Sequence, residues 1–433
     1  MKKALCIVLA FVFLLGPAGC SASFDQAALM EKSRGYVEKM AADDFESVAA
    51  DFSAEMAAAL SADALRESWH LIADGAGALT GVSDESYSQD NNTATAVVVG
   101  GFEHNRIQVT FVYNGKGEIY GLWTSYAKQE ILPESTDAFE EYAVTVGDPA
   151  LPGMVTMPIT DAQTVPAVVL IQGSGASDMD ETIGGPANKP FRDIAHALAQ
   201  HGIASIRYNK RTYEYPDGIP AGDITIDYEV IVDAVAAYNL LKEQPGVGGV
   251  YIVGHSLGGM FAPEVARQTG AAGMVCLAGS PRSLADIMYD QGVASIDAAN
   301  VPEGQKAQAL AELSQIVTLA KDAKEGDQTM IGTTPGGYWY SMNAKNIPEV
   351  VQSLDIPMLF LQGSAYFQVS ADKDYTAWQE LLAGRENAEF ILYDGLNHLF
   401  MPTNGQLSVA EYNIPSHVDA QVAEDIAAFI AAQ

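Results

Sequence analysis

The sequence has little cysteine. Its 433 residues contain three, Cys6, Cys20 and Cys276, which is too few for the disulfide framework of a small secreted domain. Cys276 lies in the apolar run GMVCLAG, a pattern typical of a buried strand. We therefore interpret Cys276 as a small buried hydrophobic residue rather than a nucleophile.

Basic residues are also scarce. The chain has 23 Lys and Arg against 55 Asp and Glu, a formal net charge of -32. Because nucleic-acid binding needs Lys and Arg to neutralise phosphates, this balance argues against a nucleic-acid partner. We interpret the acidic surface as solubilising. With 48% hydrophobic and 18% charged residues, the composition is that of a folded globular protein.

The N-terminal segment has the residue order of an export signal. In MKKALCIVLAFVFLLGPAGC, two lysines precede an apolar run and then small residues before Cys20. The segment resembles a bacterial lipoprotein signal, which implies removal of residues 1–19 and a lipid on Cys20 that anchors the chain to the membrane. Pro17 departs from the usual aliphatic residue, and an uncleaved anchor helix is the alternative. Both outcomes predict an extracytoplasmic protein.

The length of the chain predicts two or three domains. Residues 24–128 show helical periodicity and then alternating strands, with a hairpin signal at residues 114–117. This pattern predicts a small α+β domain with an antiparallel sheet. We interpret Trp69 and His70 within it as packing and surface residues. A polar, proline-containing linker is expected at residues 129–140.

Residues 141–433 alternate short apolar runs with helical stretches. Continuous apolar strands joined by helices predict an α/β fold, a mostly parallel sheet with helices on both faces. A segment at about residues 281–352 has helical periodicity and three adjacent aromatic residues, Tyr338, Trp339 and Tyr340. It is either a lid that faces the substrate or a set of additional helices that cover the sheet. If it is a lid, its aromatic residues favour an apolar substrate.

The strongest chemical signal is the sequence GHSLGG, which contains Ser256. It follows the apolar run VYIV and precedes the helical stretch MFAPEVARQ. A tight strand-to-helix turn exposes a serine hydroxyl beside a base, provided that small residues such as Gly254 and Gly258 flank it. The N-terminus of the next helix also directs N–H groups toward developing negative charge. We therefore predict that Ser256 is the nucleophile.

Two further segments extend this signal into a family resemblance. Together with GHSLGG, the stretches IQGSGASDMDETIG and NKPFRDIAHALAQHGIASIRYNKRTYEYP resemble the α/β-hydrolase superfamily, in its bacterial esterase and serine aminopeptidase-like branch. The resemblance implies an α/β-hydrolase fold with a helical lid insertion, preceded by the small α+β domain.

The glycine-rich turn that contains Ser174 has the composition needed to aim backbone N–H groups at an oxyanion. We predict that the N–H groups of Ser174 and Leu257 are the oxyanion donors. The acidic residues after this turn form either a functional cluster or a structural ion-pair network with nearby basic residues. The acidic residues are Asp178, Asp180 and Glu181, and the basic ones are Lys210 and Arg211.

The general base must follow the serine in chain order in this fold. His398, in DGLNHLF after the apolar run EFILY, satisfies that order and is the predicted base. The other histidines fit less well, since His255 belongs to the serine turn and is expected to point inward. His196 and His201 lie in or after a helix, and His417 lies in a late loop.

The position of the triad acid departs from the resemblance. The branch places an aspartate shortly after the strand PMLFLQG, where this chain has Tyr366. We predict Asp374 as the acid in preference to Asp372, although both are also typical helix-start residues. A neutral phenol at Tyr366 would hold the imidazole tautomer without balancing its charge.

These residues predict a serine hydrolase that cleaves carboxylic esters through an acyl-enzyme intermediate, with no cofactor and no metal. The expected partner is a small-molecule ester or a short peptide. A peptidase or amidase of the serine aminopeptidase kind is the first alternative, because the same groups serve both reactions. A degenerate hydrolase that acts as a ligand-binding surface lipoprotein is the second, favoured by Tyr366.

Overall fold

The computed structural model describes residues 23–433 except 75, 91, 184–187, 217–223, 299–300, 333, 366 and 407, and only the backbone of residues 409 and 410. The predicted signal segment, Cys20 and Tyr366 therefore lie outside the described residues. Contacts divide the chain into two units at Ile131 and Leu132, inside the stretch predicted as a linker. In the described part, no helix combines the length and apolar composition needed to cross a membrane.

The first unit consists of helices followed by an antiparallel sheet of order β1-β2-β3-β4. Residues along β3 alternate between buried and partly buried, so one face of the sheet forms the core. Helix α1 begins at the side-chain cap of Asp25 and buries a stripe that includes Tyr36, Val37 and Met40. The elements are α1 (Gln26–Ala41), α2 (Phe45–Ala49), α3 (Ala54–Ala59), α4 (Ala62–Ala73), β1 (Leu79–Gln89), β2 (Thr93–Phe102), β3 (Arg106–Asn114) and β4 (Ile119–Tyr126).

The second unit contains an eight-stranded sheet of order β14-β13-β10-β9-β7-β8-β6-β5. The six strands from β14 to β8 are parallel, whereas β6 is antiparallel to both β8 and β5. The strands are β5 (Phe139–Val146), β6 (Leu151–Pro158), β7 (Val165–Ile171), β8 (Ala204–Tyr208), β9 (Val247–His255), β10 (Met274–Leu277), β11 (Met330–Ile331), β12 (Thr334–Pro335), β13 (Met358–Gly363) and β14 (Ala388–Tyr393).

Helices cover both faces of this sheet, as the continuous apolar strands predict. One core cluster includes residues of α7, α8, α11 and α12, and the other includes residues of α5 and α14. The helices are α5 (Pro190–Gln200), α6 (Arg211–Glu214), α7 (Val232–Lys242), α8 (Leu257–Thr269), α9 (Leu284–Ala298), α10 (Glu303–Asp322), α11 (Gly336–Asn343), α12 (Ile347–Gln352), α13 (Thr376–Leu381) and α14 (Ala420–Ala431).

The strand order positions the site. The chain passes from β7 to β8 on one side of β7 and then to β9 on the other side. The loops after β7 and β9 therefore diverge at the carboxyl ends of two neighbouring strands, where open α/β sheets bind their ligands. The first loop carries Ser174, and the second carries Ser256.

The segment predicted as a lid contains α9 to α12. Tyr338 and Trp339 of α11 are each only 6% exposed and belong to the core cluster on one face of the sheet, and Tyr340 packs against that cluster. The aromatic residues therefore serve as core packing, which removes the argument that they favour an apolar substrate.

Candidate active site

Ser256 lies at the turn between β9 and α8 in a strained backbone conformation, with φ 53° and ψ -114°. This turn brings backbone atoms so close that a Cβ on Gly254 would lie 2.2 Å from the carbonyl oxygen of Gly258. A Cβ on Gly258 would lie 2.1 Å from the carbonyl oxygen of Ile171. Ser256 is partly exposed although its neighbours are buried. The geometry is that of a serine held out for nucleophilic attack.

The loop after β7 lies directly beside the nucleophile. A Cβ built on Gly173 would lie 3.2 Å from the Cβ of Ser256. The N–H of Gly173 donates to Oε1 of Glu181 at 2.7 Å and is therefore engaged. The next N–H along the chain belongs to Ser174, which is exposed. Leu257 is the first residue of α8, where N–H groups lack an intrahelical partner, so both predicted oxyanion donors lie on segments next to Ser256.

The predicted base, His398, lies in the loop after β14 and is 3% exposed. Its ring lies 4.8 Å, centroid to centroid, from that of His255, and its carbonyl oxygen accepts a hydrogen bond from Nε2 of His255 at 3.0 Å. Asn397 stabilises the loop, because its Oδ1 accepts from the N–H of Leu399 at 2.9 Å. His398 is therefore held against the residue that precedes the nucleophile.

Burial and the nearby charge of His255 lower the pKa of His398 well below its usual range. Its imidazole is therefore neutral near pH 7 and able to accept a proton. Among the described residues, Nδ1 of His398 has no hydrogen-bond partner, so no carboxylate there holds the far side of the ring.

The structure does not bring Asp374, the predicted acid, to His398. Asp374 lies in the π-helical turn Ala371–Tyr375 and is 2% exposed. Its Oδ1 accepts from Oγ of Ser280 at 2.6 Å and from Arg282 at 3.1 Å. Its Oδ2 accepts from the N–H of Ser370 at 2.7 Å. In the described residues, both oxygens are thus engaged by groups other than the histidine.

Glu181 is the site residue that sequence reasoning left unassigned. Its Oε1 bonds Nδ1 of His255 at 2.9 Å as well as the N–H of Gly173. Burial would lower the pKa of His255, but Glu181 outweighs it and raises that pKa. The sequence signal that could have identified Glu181 is its position, eight residues after Gly173 in the loop that follows β7. Glu181 joins the loop after β7 to the nucleophile turn.

Comparison with known proteins extends the assignment from the site to the chain. Residues 188–403 match a family described as serine aminopeptidase, S33, and residues 33–122 match a protein family of unknown function, DUF3887. The chain is 33% identical over 422 residues to the esterase EstD of Thermotoga maritima, covering 94% of this chain and 95% of that protein. The chain belongs to the α/β-hydrolase family. It is a serine hydrolase of the serine aminopeptidase S33 type.

Two solved esterase structures are similar to part of this chain. An esterase of Pyrococcus furiosus aligns with a TM-score of 0.42 and 14% identity, over 70% of this chain and 96% of that one. Est1E of Butyrivibrio proteoclasticus aligns with a TM-score of 0.42 and 15% identity, over 67% of this chain and 98% of that one.

An ion-pair network was one of the two roles expected for the acidic residues after Ser174, and the hydrolase has one around Asp180 with partners other than those predicted. Asp180 is fully buried and pairs with Arg207, which extends from β8, rather than with Lys210 or Arg211. Those two basic residues pair with carboxylates near the start of α7, which the sequence pattern did not bring to them. The pairs are Asp180–Arg207 at 2.9 Å, Asp180–Lys189 at 3.1 Å, Lys210–Glu229 at 2.7 Å and Arg211–Asp233 at 2.5 Å.

Cys276 of the hydrolase is 1% exposed, and burial raises the pKa of its thiol to about 12. A thiol with that pKa is not a nucleophile near neutral pH, in agreement with the interpretation as a buried hydrophobic residue. In the described ranges, no group of three or more His, Cys, Asp or Glu is arranged to hold a metal ion.

Proposed function

We propose that this chain hydrolyses carboxylic esters through an acyl-enzyme formed on Ser256, with His398 as the general base. One observation carries the proposal: the strained, partly exposed serine lies beside Gly173, and Glu181 and His255 tie that loop to the histidine loop. The esterase named among the relatives supports an ester as the substrate.

In the proposed acylation, Oγ of Ser256 attacks the ester carbonyl while His398 accepts the hydroxyl proton. The carbonyl oxygen becomes an oxyanion, which the N–H groups of Ser174 and Leu257 stabilise. His398 then gives the proton to the alcohol as the C–O bond breaks. Water attacks the acyl-enzyme by the same sequence and releases the acid, which regenerates Ser256.

The experiment that tests this proposal is stopped-flow hydrolysis of p-nitrophenyl acetate by the full chain. We expect a burst of p-nitrophenol equivalent to one acyl group per chain when deacylation is slower than acylation, and mass spectrometry of an acid-quenched sample should place that group on Ser256. Ser256→Ala should abolish the burst and lower turnover by about three orders of magnitude or more.

Ser314→Ala is the matched control for that experiment. Ser314 is an exposed serine on α10 whose hydroxyl bonds the carbonyl oxygen of Leu310 in its own helix, and its variant should retain turnover. Equal turnover by the wild type and Ser256→Ala would contradict the proposed function and favour the degenerate-hydrolase alternative.

A peptidase is the second candidate, because the family that matches residues 188–403 is described as a serine aminopeptidase. An amide leaving group needs stronger protonation than an alcohol, and Nδ1 of His398 has no carboxylate partner among the described residues. This difference favours esters. Parallel assays of aminoacyl p-nitroanilides and the corresponding p-nitrophenyl esters test it, and a kcat/KM for the anilides equal to that for the esters would favour the peptidase.

We also propose that the chain is extracytoplasmic and anchored to a bacterial membrane by a lipid on Cys20, with residues 1–19 removed. The proposal rests on the residue order around Cys20. Expression of the full chain with radiolabelled palmitate should yield a labelled, membrane-bound protein. Cys20→Ala should abolish the label, whereas Cys6→Ala, which lies within the segment to be removed, should not. A wild-type chain without label would overturn the anchor.

A further inference from the structure

A buried basic residue lies behind the oxyanion loop. Lys210 is 2% exposed and follows β8. Its Nζ donates to the carbonyl oxygen of Gly173 at 2.9 Å, and its own N–H donates to the carbonyl oxygen of Ser177 at 3.0 Å. Lys210 thus contacts the loop after β7 at two points, one of which is the peptide that ends in the N–H of Ser174.

The geometry of that peptide links the contact to catalysis. In a trans peptide the C=O and the N–H point in opposite directions. Since the carbonyl oxygen of Gly173 points toward buried Lys210, the N–H of Ser174 points away from it, toward the exposed side of the loop. A charged donor on the carbonyl also polarises the peptide and strengthens its N–H as a donor.

Glu181 fixes the peptide on the other side of Gly173. The N–H of Gly173 donates to Glu181, so the N–H of Ser174 is the next backbone donor of the loop for a substrate oxygen. With Lys210 on the carbonyl oxygen and Glu181 on the preceding N–H, neither end of Gly173 can rotate without breaking a hydrogen bond to a charged group. Such fixed dipoles stabilise an oxyanion without reorganisation during the reaction.

Lys210 is in turn connected to the helical insertion. Its Nζ lies 2.7 Å from Oε1 of Glu229, and Oε2 of Glu229 accepts from the hydroxyl of Tyr338 at 2.5 Å. Tyr338 belongs to α11. A second contact joins the same elements, because Oγ of Ser341 in α11 accepts from the N–H of Ile226 at 2.9 Å. The insertion therefore reaches the oxyanion loop through two buried side chains.

We propose that Lys210 is a positioning residue that holds the Gly173–Ser174 peptide in its oxyanion-binding orientation, and that Tyr338 of α11 holds Lys210 in place through Glu229. This inference rests on the proposed function. It gives the insertion a role in transition-state stabilisation, distinct from covering the site. Lys210, Glu229 and Tyr338 are called the Lys210 network below.

A transition-state role has a kinetic signature that a structural role lacks. Weakening an oxyanion donor should lower kcat and leave KM unchanged, because the interaction exists only in the transition state. Lys210→Met alone would leave Glu229 buried and unpaired, with a risk of misfolding. The double variant Lys210→Met/Glu229→Met removes both charges together and should fold. We expect its kcat to fall about 30-fold to 100-fold, at or below the effect of deleting a donor outright.

Tyr338→Phe is the mildest test, because it removes one hydroxyl and leaves the ring in the core. We expect kcat to fall about 3-fold, since the change reaches the oxyanion loop only through Glu229 and Lys210. Tyr340→Phe is its matched control in the same helix. The Tyr340 hydroxyl makes no hydrogen bond to the described residues, and its variant should keep the wild-type kcat.

The deciding experiment follows the reaction of an alkyl fluorophosphonate with the full chain. Oγ of Ser256 forms a bond to phosphorus as the P–F bond breaks, and His398 takes the hydroxyl proton. We expect every variant of the Lys210 network to reach one label per chain, as the wild type does, with rate constants lowered by about the same factors as kcat.

The outcomes separate the two proposals. Labelling of the network variants at the wild-type rate would overturn the positioning role alone. A lower end point with an unchanged rate would assign the network to folding and would also overturn it. A wild type that takes no label at Ser256 would overturn the proposed function, and the positioning role with it.

Discussion

The two halves of the active site are built differently. On the nucleophile side, Glu181 joins the loop after β7 to the turn after β9 through buried hydrogen bonds, and Lys210 fixes the first of these loops. On the base side, Nδ1 of His398 has no partner among the described residues, and Asp374 bonds Ser280 and Arg282. The nucleophile side is therefore preorganised, whereas on the base side no carboxylate among the described residues bonds His398.

The contrast has a physical cause. The nucleophile side is set by two adjacent parallel strands, whose carboxyl ends meet at the switch point of the sheet. The base side also follows two adjacent parallel strands, β13 and β14, but Asp374 lies in a turn where Ser280, Arg282 and the N–H of Ser370 engage its carboxylate. A site of this kind still catalyses, because oxyanion stabilisation and the base contribute even when the acid is weak or absent.

The largest effect on the base side should come from the base itself. We expect His398→Ala to lower kcat about 10³-fold, because no other group takes the proton from Ser256. His201→Ala, at an exposed histidine after α5, is the matched control and should leave kcat unchanged. Steady-state hydrolysis of p-nitrophenyl acetate measures both, and a His398→Ala variant that retains a tenth of the activity would assign the base elsewhere.

Variants of Glu181 measure how much the preorganisation of the nucleophile side contributes to kcat/KM. Glu181→Leu removes the acceptor of both Gly173 and His255, and we expect kcat/KM to fall about 100-fold, the low end for a lost oxyanion contact. Glu181→Gln keeps an acceptor oxygen without the charge, so about a 10-fold loss is expected.

The same ester assay compares both Glu181 variants with Glu325→Leu, a change at an exposed glutamate in the insertion. Equal, small losses for all three variants would mean that Glu181 only fills space beside the nucleophile.

The parallel sheet and the nucleophile side were largely predictable from the sequence. Continuous apolar runs mark the strands β7 to β10 and β13, and six consecutive residues encode the turn at Ser256. Strands β5 and β6 escaped prediction, since Pro152 and Gly153 interrupt the strand pattern and β6 gains its place by pairing with β8. A local sequence pattern therefore predicts elements such as the turn at Ser256, whose geometry depends on neighbouring residues alone.

Partners across the fold were harder to predict. One of the two roles expected for the acidic residues after Ser174 was an ion-pair network with Lys210 and Arg211, but Asp180 pairs with Arg207, three residues before Lys210. Which basic side chain points inward depends on how β8 sits between β7 and β6. For the same reason, the short sequence distance between Asp374 and the family's acid position, held here by Tyr366, did not identify an acid that contacts His398.

The pH dependence of kcat/KM should show the depressed pKa of the base. A histidine of ordinary pKa protonates as the pH falls through about 6.5. Burial and the charge of His255 lower the pKa of His398, so its neutral, active form should persist to lower pH. We expect the acid limb of a plot of log kcat/KM against pH to bend clearly below 6.5. An inflection at or above 6.5 would mean that the ring is solvated or paired with a carboxylate in solution.

The smallest effect expected on the base side is that of Asp374→Asn, and it tests the contrast between the two halves of the active site most directly. Because the Asp374 carboxylate bonds Ser280, Arg282 and the N–H of Ser370, losing its charge should lower the free energy of unfolding by about 2 kcal/mol. We expect kcat to change less than about 10-fold, since no hydrogen bond joins Asp374 to His398 in the described structure.

Denaturant unfolding and ester turnover of the same Asp374→Asn preparation separate the two effects. Ser280→Ala is the matched variant, because it removes a partner of Asp374 and keeps its charge, and it should lower stability with kcat unchanged. A loss of kcat near 10⁴-fold in Asp374→Asn with stability intact would show that the two loops close together around substrate. Asp374 would then complete the triad, and the base side would be assembled by binding rather than preorganised.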